Sequence, residues 1–108
     1  MSFEILRTDT FSKHLKVLSK KYPSLKKDYT LLLELLTANP LSGVPLGKNC
    51  YKIRMKISSK NTGKSGGARV ITYVKVERKR ITLLDIYDKT DTDTISEKEL
   101  SALIKKAE

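Results

Sequence analysis

Cysteine and histidine are almost missing from this chain of 108 residues, which contains one of each, and tryptophan is absent. The lone Cys50 cannot form an internal disulfide, and a single free thiol is typical of a protein in a reducing cytoplasm. Together with the lone His14, it offers too few of the side chains that bind zinc. The sequence therefore predicts neither a metal site nor a cofactor.

Long apolar runs are also lacking. No stretch approaches the roughly 20 residues of a membrane-spanning helix. The first residues, MSFEILRTDTF, lack the basic start and the long apolar stretch of a secretory signal. Hydrophobic residues make up 39% of the chain and charged residues 31%, which is typical of an ordinary globular protein. We expect a single domain, residues 1–108, that works in the cytoplasm without contacting a membrane.

Acidic residues are scarce in one third of the chain. Residues 48–80 hold 11 of the 22 lysines and arginines but only one of the 12 acids, Glu77, so this segment accounts for the whole net charge of +10. A charge excess concentrated in this way is typical of a surface that binds a polyanion such as nucleic acid. The alternative is a solvated basic face that has no partner.

The hydrophobic patterns predict an α+β fold with the order β-α-α-β-β-β-α. A helical hairpin follows a short first strand, and the chain ends in a helix that begins with a capping box, Ser96 and Glu99. Between them lie three runs with the alternation of strands, which we expect to form a curved antiparallel sheet. The predicted strands are 3–6, 50–57, 68–76 and 80–87, and the predicted helices begin near residues 9, 24 and 97.

Three bases alternate with apolar residues in the strand CYKIRMKI, residues 50–57. A period of two places Lys52, Arg54 and Lys56 on the face opposite the core, about 6 to 7 Å apart. This spacing is similar to that of successive phosphates along a nucleic-acid strand. We therefore expect this row of bases to face a nucleic acid.

A Gly-Lys-Ser at residues 63–65 matches the end of a nucleotide-binding P-loop. Such a loop needs an earlier glycine, where this chain has Ser58, and a helix after it, whereas the residues that follow here are β-branched and strand-like. The segment is instead predicted to be a hairpin turn whose glycines permit positive φ or a bulge. A plain mobile turn would explain the glycines, but not the bases on and beside them.

Three ordered motifs carry a resemblance to a known family. They are K-I-R at 52–54, G-K-S-G-G-A-R-V-I at 63–71 and L-L-D-I-Y-D-K at 83–89. Placed between a helical hairpin and a last helix, they resemble the RelE/HigB superfamily of toxins from bacterial type II toxin-antitoxin modules, especially its HigB-like branch. The resemblance covers nearly the whole chain and implies a RelE/ParE-like fold.

The resemblance implies a ribosome-dependent mRNA endonuclease that enters the ribosomal A site and cuts the codon there. The implied chemistry is metal-free attack of a ribose 2′-hydroxyl on the adjacent phosphate, which leaves a 2′,3′-cyclic phosphate and a 5′-hydroxyl. Such an attack needs a base, positive charge for the developing phosphorane and a proton donor for the leaving oxygen. The resemblance also implies a cognate antitoxin, operator DNA bound through the antitoxin complex, and a free toxin that is a monomer.

The family resemblance assigns roles to individual residues. Arg69 is expected to be the principal transition-state stabiliser, since a guanidinium holds phosphate in a fork and keeps its charge. Lys52, Arg54 and Lys89 match further basic positions, and Lys52 is the first candidate for the base. Tyr87 is either a stacking or positioning residue or a buried core tyrosine. Contacts to mRNA or ribosomal RNA are assigned to Lys56, Lys60, Lys64 and Lys75.

Some positions depart from the family pattern. Thr90 stands where some relatives have a further arginine, and Asp88 stands where relatives often have glycine. Asp88 can temper the charge of Lys89 or take part in proton transfer, whereas His14 is expected to be a surface residue of the first helix. Two other functions stay open: a ParE-like toxin that inhibits DNA gyrase, and a non-enzymatic module that binds RNA or the ribosome.

Overall fold

The computed structural model of the chain describes residues 3–60, 66–92 and 94–108. Within these residues, three α-helices pack against a five-stranded sheet, which confirms the predicted α+β class. The elements in chain order are β1 (Glu4–Arg7), α1 (Asp9–Lys21), α2 (Leu25–Ala38), β2 (Val44–Gly47), β3 (Cys50–Met55), β4 (Ala68–Lys75), β5 (Arg80–Asp88) and α3 (Glu97–Ala107).

The sheet has the strand order β1-β5-β4-β3-β2. Its last four members pair antiparallel, as predicted, but β1 lies parallel to β5 and makes the sheet mixed. The strand β2 also differs from prediction, because its sequence VPLG lies outside the four predicted strands. Proline and glycine hide a strand from pattern analysis, yet Pro45 is acceptable here because β2 is an edge strand.

A two-residue turn joins β2 to β3. Both turn residues have positive φ, 55° at Lys48 and 64° at Asn49, and Gly47 pairs with Cys50 across the turn. Two successive positive φ values are typical of a type I′ turn, whose twist matches that of a β-hairpin. The turn therefore folds β2 back along β3, and the two strands pair as far as Val44 and Lys52.

The helix ends follow local hydrogen-bonding rules. α1 is capped by Thr8, whose Oγ1 accepts from the Phe11 N–H at 3.0 Å, rather than by Asp9, which lies in the first turn. The predicted capping box of α3 is present, with reciprocal bonds between Ser96 and Glu99. Among the described residues, no helix is long and apolar enough to cross a membrane.

The two faces of the sheet carry two separate apolar clusters. One cluster joins the helical hairpin to the sheet and includes Phe11, Leu18, Leu25, Leu32, Leu36, Ile53, Val70, Leu83 and Ile86. In the other cluster, Leu100 of α3 packs with Cys50, Ile71 and Leu84. Alternation along β4 therefore sends Val70 to the hairpin face and its neighbours Arg69 and Ile71 to the α3 face.

Candidate functional site

Residues from three strands and three sequence motifs form a row across the sheet. Arg54 of β3 pairs in register with Arg69 of β4, which in turn pairs with Tyr87 of β5. Side chains at paired positions point to the same face, with Cβ atoms about 4.5 to 5.5 Å apart. The sheet therefore brings together three residues that the sequence separates by up to 33 positions.

Arg69 is almost fully buried, with 2% of its surface exposed. Its Nη1 donates to the Ala68 carbonyl at 3.3 Å. Arginine keeps its charge when buried, so β4 contributes a permanent positive charge at the centre of the row. Arg54, beside it on β3, is exposed. The row thus combines one fixed, buried guanidinium with one that solvent and ligands can reach.

The bases of β3 are arranged as the sequence predicts. Ile53, Met55 and Ile57 are buried in the hairpin-side core, which leaves the alternate positions for the bases. Lys52 is half-buried and pairs with Ile71 of β4, whereas Lys56 follows the last residue of β3 and is exposed. A pleated strand spaces alternate residues by about 6 to 7 Å.

Lys89 joins the same end of the sheet. It follows directly on β5, and its backbone N–H donates to the Gly67 carbonyl at 3.0 Å, next to the start of β4. Its side chain is half-buried. The structure thus brings the five predicted catalytic residues to neighbouring positions on β3, β4 and β5 and at the residue that follows β5. Lys64, predicted to contact RNA, lies outside the described residues.

Lys60 does not share the row's surroundings. It closes a single turn of 3₁₀ helix, Ser58–Lys60, and its Nζ donates to Asp88 Oδ1 at 2.9 Å and lies 5.4 Å from the ring centre of Tyr22. Only 12% of its side chain is exposed. Burial by itself would lower the pKa of Lys60, but the hydrogen bond and charge of Asp88 raise it above its usual range.

Lys75 lies at the far end of β4 from Arg69. The two residues are six positions apart along the strand, a distance of about 20 Å. The ammonium group of Lys75 is 4.0 Å from Glu108 Oε2 and 5.5 Å from the ring centre of Tyr73. The structure therefore places Lys56 near the row, and Lys60 and Lys75 in other surroundings.

Asp88 is a buried carboxylate whose partners sequence analysis missed. It is 1% exposed and accepts hydrogen bonds from the Tyr22 hydroxyl at 2.5 Å, from Lys60, and from the Thr90 N–H and hydroxyl at 3.0 and 2.6 Å. Burial would raise the pKa of Asp88, but these hydrogen bonds outweigh it and hold the pKa well below its usual range. Strand alternation places this carboxylate on the face opposite Tyr87.

The sequence contains a local pattern that accounts for one part of the Asp88 cluster, its contacts with Thr90. Asp-x-Thr at 88–90 is a common local turn pattern, in which the carboxylate accepts from the N–H two residues later. Nothing in the sequence indicated that Tyr22 and Lys60, which are distant in the chain, would meet the same carboxylate. His14 is 46% exposed in its side chain, as expected, and its Nδ1 lies 2.6 Å from Asp85 Oδ1. Within residues 3–60, 66–92 and 94–108, no three His, Cys, Asp or Glu side chains are grouped so as to hold a metal ion.

Comparison with known proteins reveals similarity at the level of structure. No protein-family model matches the chain. A variant of the Escherichia coli toxin RelE with two arginines replaced by alanine, in the free state, is 17% identical, with 97% of both chains covered and a TM-score of 0.62. The isolated E. coli RelE toxin is 19% identical over 96% of this chain and 98% of its own, with a TM-score of 0.51.

A third solved structure extends the comparison to another bacterium. A metal-bound toxin from Helicobacter pylori is 18% identical, covers 84% of this chain and 99% of its own, and has a TM-score of 0.51. Identities this low leave the shared backbone, not the shared residues, as the basis of the likeness. The chain therefore has the fold of the RelE toxins.

Proposed function

We propose that residues 1–108 form a single toxin domain of a type II toxin-antitoxin module, which cleaves mRNA in the A site of the ribosome. The observation that carries this proposal is the cross-strand row of Arg54, Arg69 and Tyr87, with Lys52 and Lys89 beside it. The RelE-like fold supports the toxin class, and the concentration of cations at one end of the sheet supports a phosphate as the group acted upon.

The proposed reaction is an intramolecular transesterification, in which a phosphorus of the RNA chain exchanges its 5′-oxygen for the neighbouring 2′-oxygen. The 2′-oxygen attacks the adjacent phosphorus as its proton passes to Lys52, and the bond from phosphorus to the 5′-oxygen breaks. Lys89 gives a proton to that oxygen, so the products are a 2′,3′-cyclic phosphate and a 5′-hydroxyl. Arg54 holds the phosphate oxygens, whose negative charge grows in the transition state, and the buried Arg69 beside it stabilises that charge electrostatically. Tyr87, which packs against the apolar cluster on the α3 side, supports Arg69 from β5.

The ribosome supplies the rest of the binding surface in this proposal. Lys56 is exposed at the end of β3, and we assign it, together with Lys64, to contacts with mRNA or ribosomal RNA phosphates. Contacts of this kind gain affinity because they release the counterions of the RNA. Stacking of bases on aromatic side chains contributes little, because only 6% of the residues are aromatic. The toxin would work in the cytoplasm, where ribosomes are.

A cognate antitoxin is the proposed protein partner, and a groove beside the row suits it. The groove has a volume of about 280 Å³ and lies between α2 and β3, with Leu31, Leu35, Arg54 and Lys56 among its lining residues. Leu31 is 54% exposed and Leu35 is 43% exposed. Apolar walls with cations at the rim are complementary to an acidic amphipathic segment. Such a segment would also cover Arg54, and the antitoxin complex would bind operator DNA.

The test of the function is cleavage of mRNA on purified ribosomes, followed by mapping of the new 5′ ends. We expect cuts in phase with codons and products that end in a cyclic phosphate. Arg54→Ala should lower the cleavage rate by about 10²-fold or more, because it removes a cation that holds the phosphate oxygens. Lys105→Ala, an exposed change in α3, is the matched control and should cleave like the wild type.

Two outcomes would favour other functions. Growth arrest with intact mRNA and inhibited gyrase would support a ParE-like toxin, which shares the superfold. Tight binding to ribosomes without cleavage would support a non-enzymatic binding module. Expression that is harmless in the absence of an antitoxin would contradict both toxin functions.

A further inference from the structure

Residues 88–90 hold the chain on both sides of the glycine-containing segment. Lys60, just before residues 61–65, donates to the Asp88 carboxylate through its side chain. Gly67, just after them, accepts from the backbone N–H of Lys89. One short turn, at the end of β5, thus contacts both flanks of this segment and also carries Lys89 of the proposed site.

The Asp88 carboxylate is the centre of this arrangement. Its Oδ1 accepts from Lys60 and from both donors of Thr90, while its Oδ2 accepts from the Tyr22 hydroxyl at the end of α1. A buried carboxylate with this number of donors is fixed in orientation, because the donors reach both oxygens from three separate segments of the chain. Asp88 thereby joins α1, the Ser58–Lys60 turn and the end of β5.

The Ser58–Lys60 turn is held from its other end as well. Asp28 of α2 is 3% exposed and accepts from the Ser58 N–H at 3.0 Å and from the Ser58 hydroxyl at 2.7 Å. The Ser24 hydroxyl accepts from the Ser59 N–H at 2.9 Å. Two buried carboxylates therefore hold a turn of three residues, whereas most surface connections have few such contacts and are more mobile.

The other flank approaches the sheet so closely that it leaves no space for a side chain. A Cβ at Gly67 would lie 2.1 Å from the Met55 carbonyl oxygen and 3.0 Å from the Ile57 nitrogen. Gly67 also precedes Ala68, the first residue of β4 and the neighbour of Arg69. A shift of the turn at 88–90 would therefore move Lys89 and the start of β4 relative to each other.

We propose that Asp88 and Lys60 form a positioning pair, which sets Lys89 and the two flanks of residues 61–65 relative to Arg69. In this assignment Lys60 acts through Asp88 instead of contacting RNA. The proposal rests on the proposed function for its effect on cleavage, but its structural part concerns the protein alone. The two parts can therefore fail separately.

The test on cleavage is a double-mutant cycle of Lys60→Met and Asp88→Asn, measured on ribosomes at several salt concentrations. We expect each single change to lower kcat by roughly ten- to a hundredfold, because misplacement of a reacting group is costly, with KM and its salt dependence unchanged. The double variant should be no slower than the slower single variant, since both changes break one contact. Lys60→Arg, which can still reach Asp88, should recover most of kcat.

Matched variants separate positioning from direct RNA binding. Lys56→Met, at an exposed lysine, should raise KM and reduce the salt slope of binding by about one unit, with little effect on kcat. If Lys60→Met behaves like Lys56→Met, or if the effects of Lys60→Met and Asp88→Asn are additive, the positioning pair is wrong. Thr90→Val, which removes one hydroxyl donor to Asp88 at an exposed position, is a milder variant should Asp88→Asn fail to fold.

A second measurement needs no activity at all. Hydrogen exchange of the free protein should be at least about tenfold faster at the Lys89 and Thr90 amides in Lys60→Met than in the wild type, because these amides open locally when the turn is released. The Val70 amide in the core strand β4 should be unchanged. Equal exchange rates at Lys89 would overturn the pair even in an active toxin, and faster exchange would uphold it in a chain that cuts no RNA.

Discussion

At position 69 an arginine is almost entirely removed from solvent, which is uncommon for a residue type that is rarely fully buried. Its neighbour in the row, Arg54, is exposed and occupies the matching position on β3. The two guanidinium groups therefore differ in freedom although they share a face. A buried fork keeps one orientation, and an exposed one adapts to its ligand, so we expect Arg69 to be the more demanding position.

Arg69→Lys tests whether the fork matters beyond its charge. Lysine keeps the positive charge but loses the planar guanidinium that fixes the position of this charge in the sheet, so we expect cleavage to fall by about 10²-fold, and Arg54→Lys to cost less. Single-turnover cleavage on ribosomes measures both rates, and the thermal unfolding midpoint checks that each variant is folded. An Arg69→Lys protein that cuts at the wild-type rate would show that charge alone suffices at this position.

Asp88 determines a pH dependence of stability. Its folded-state pKa is depressed, so its contribution is present above its unfolded-state value of 3.8 and is lost as the pH falls towards the lower folded-state pKa. We expect Asp88→Asn to unfold about 2 kcal/mol more easily than the wild type at pH 7, since hydrogen bonds to a charged group are lost. The difference should shrink below about pH 4.

Urea unfolding at pH 7 and at pH 3 measures this effect, with Asp91→Asn, an exposed neighbour, as the control. A destabilisation by Asp88→Asn that is equal at both pH values would mean that packing, and not the carboxylate charge, is what the variant loses.

At the scale of elements, the start of β4 is defined by backbone contact. Gly67 lies against the Met55 carbonyl of β3, and the pairing of β3 with β4 begins at Met55 and Ala68. This register is what aligns Arg54 with Arg69. A strand that slipped by one residue would send Arg69 to the other face of the sheet, where the helical hairpin packs.

Gly67→Ala should be among the most damaging single changes in the chain. The added Cβ would overlap backbone, which moves less easily than a side chain, and we expect a loss of about 3 kcal/mol in the free energy of unfolding. Gly47→Ala is the matched control: it has open space but a φ of +85°, so its cost is conformational and about 1 kcal/mol. Chemical unfolding of both variants checks the order, which would be reversed if space at Gly67 were unimportant.

At the scale of the whole molecule, the charged and apolar surfaces adjoin each other. Residues 48–80 supply Arg54 and Arg69 of the row, and α2 supplies exposed leucines beside the open edge of β3. An acidic partner bound in the groove would therefore neutralise cations and cover apolar side chains together. In the proposed toxin, one contact would both inhibit the site and cover the exposed leucines.

Leu31→Glu should weaken binding of the cognate antitoxin by about tenfold or more, because a charge would enter the apolar wall and face an acidic segment. Cleavage of mRNA by the free variant should persist, since Leu31 is an apolar wall residue of the groove and is not one of the proposed reacting groups. Isothermal titration with the purified antitoxin measures the affinity. Lys26→Gln, an exposed change on the same helix that lowers the net charge by the same amount, is the control, and equal losses in both variants would point to net charge instead of the groove.

Ribosome binding should weaken steeply as salt rises, since several Lys and Arg contacts with phosphate release counterions. A protein with four such contacts would lose affinity with a slope of about −3 in a double-logarithmic plot, by the single-strand relation. Sedimentation of the protein with ribosomes at salt concentrations from about 50 to about 200 mM measures the slope, because the loss of affinity is large over this range. Affinity that does not change over this range would show that the protein does not bind ribosomes through Lys and Arg contacts with phosphates.

The sequence by itself determined the types and order of the helices and of the long strands, because amphipathic periods and capping residues are local signals. It also determined the alternation that separates Lys52, Arg54 and Lys56 from the core, and the burial of Ile53, Met55 and Ile57 bears this out. It did not reveal β2, whose proline and glycine carry no period, nor the parallel pairing of β1, which depends on where a helical hairpin returns the chain.

Only the tertiary structure decided which residues meet. The register of three strands aligns Arg54, Arg69 and Tyr87, and long-range hydrogen bonds gather Tyr22 and Lys60 around Asp88. The same structure separates Lys75 from the row, although its charge alone makes it look equivalent to the other lysines. Side-chain periodicity is set by the backbone within a few residues, whereas contacts between distant segments depend on how the whole core closes.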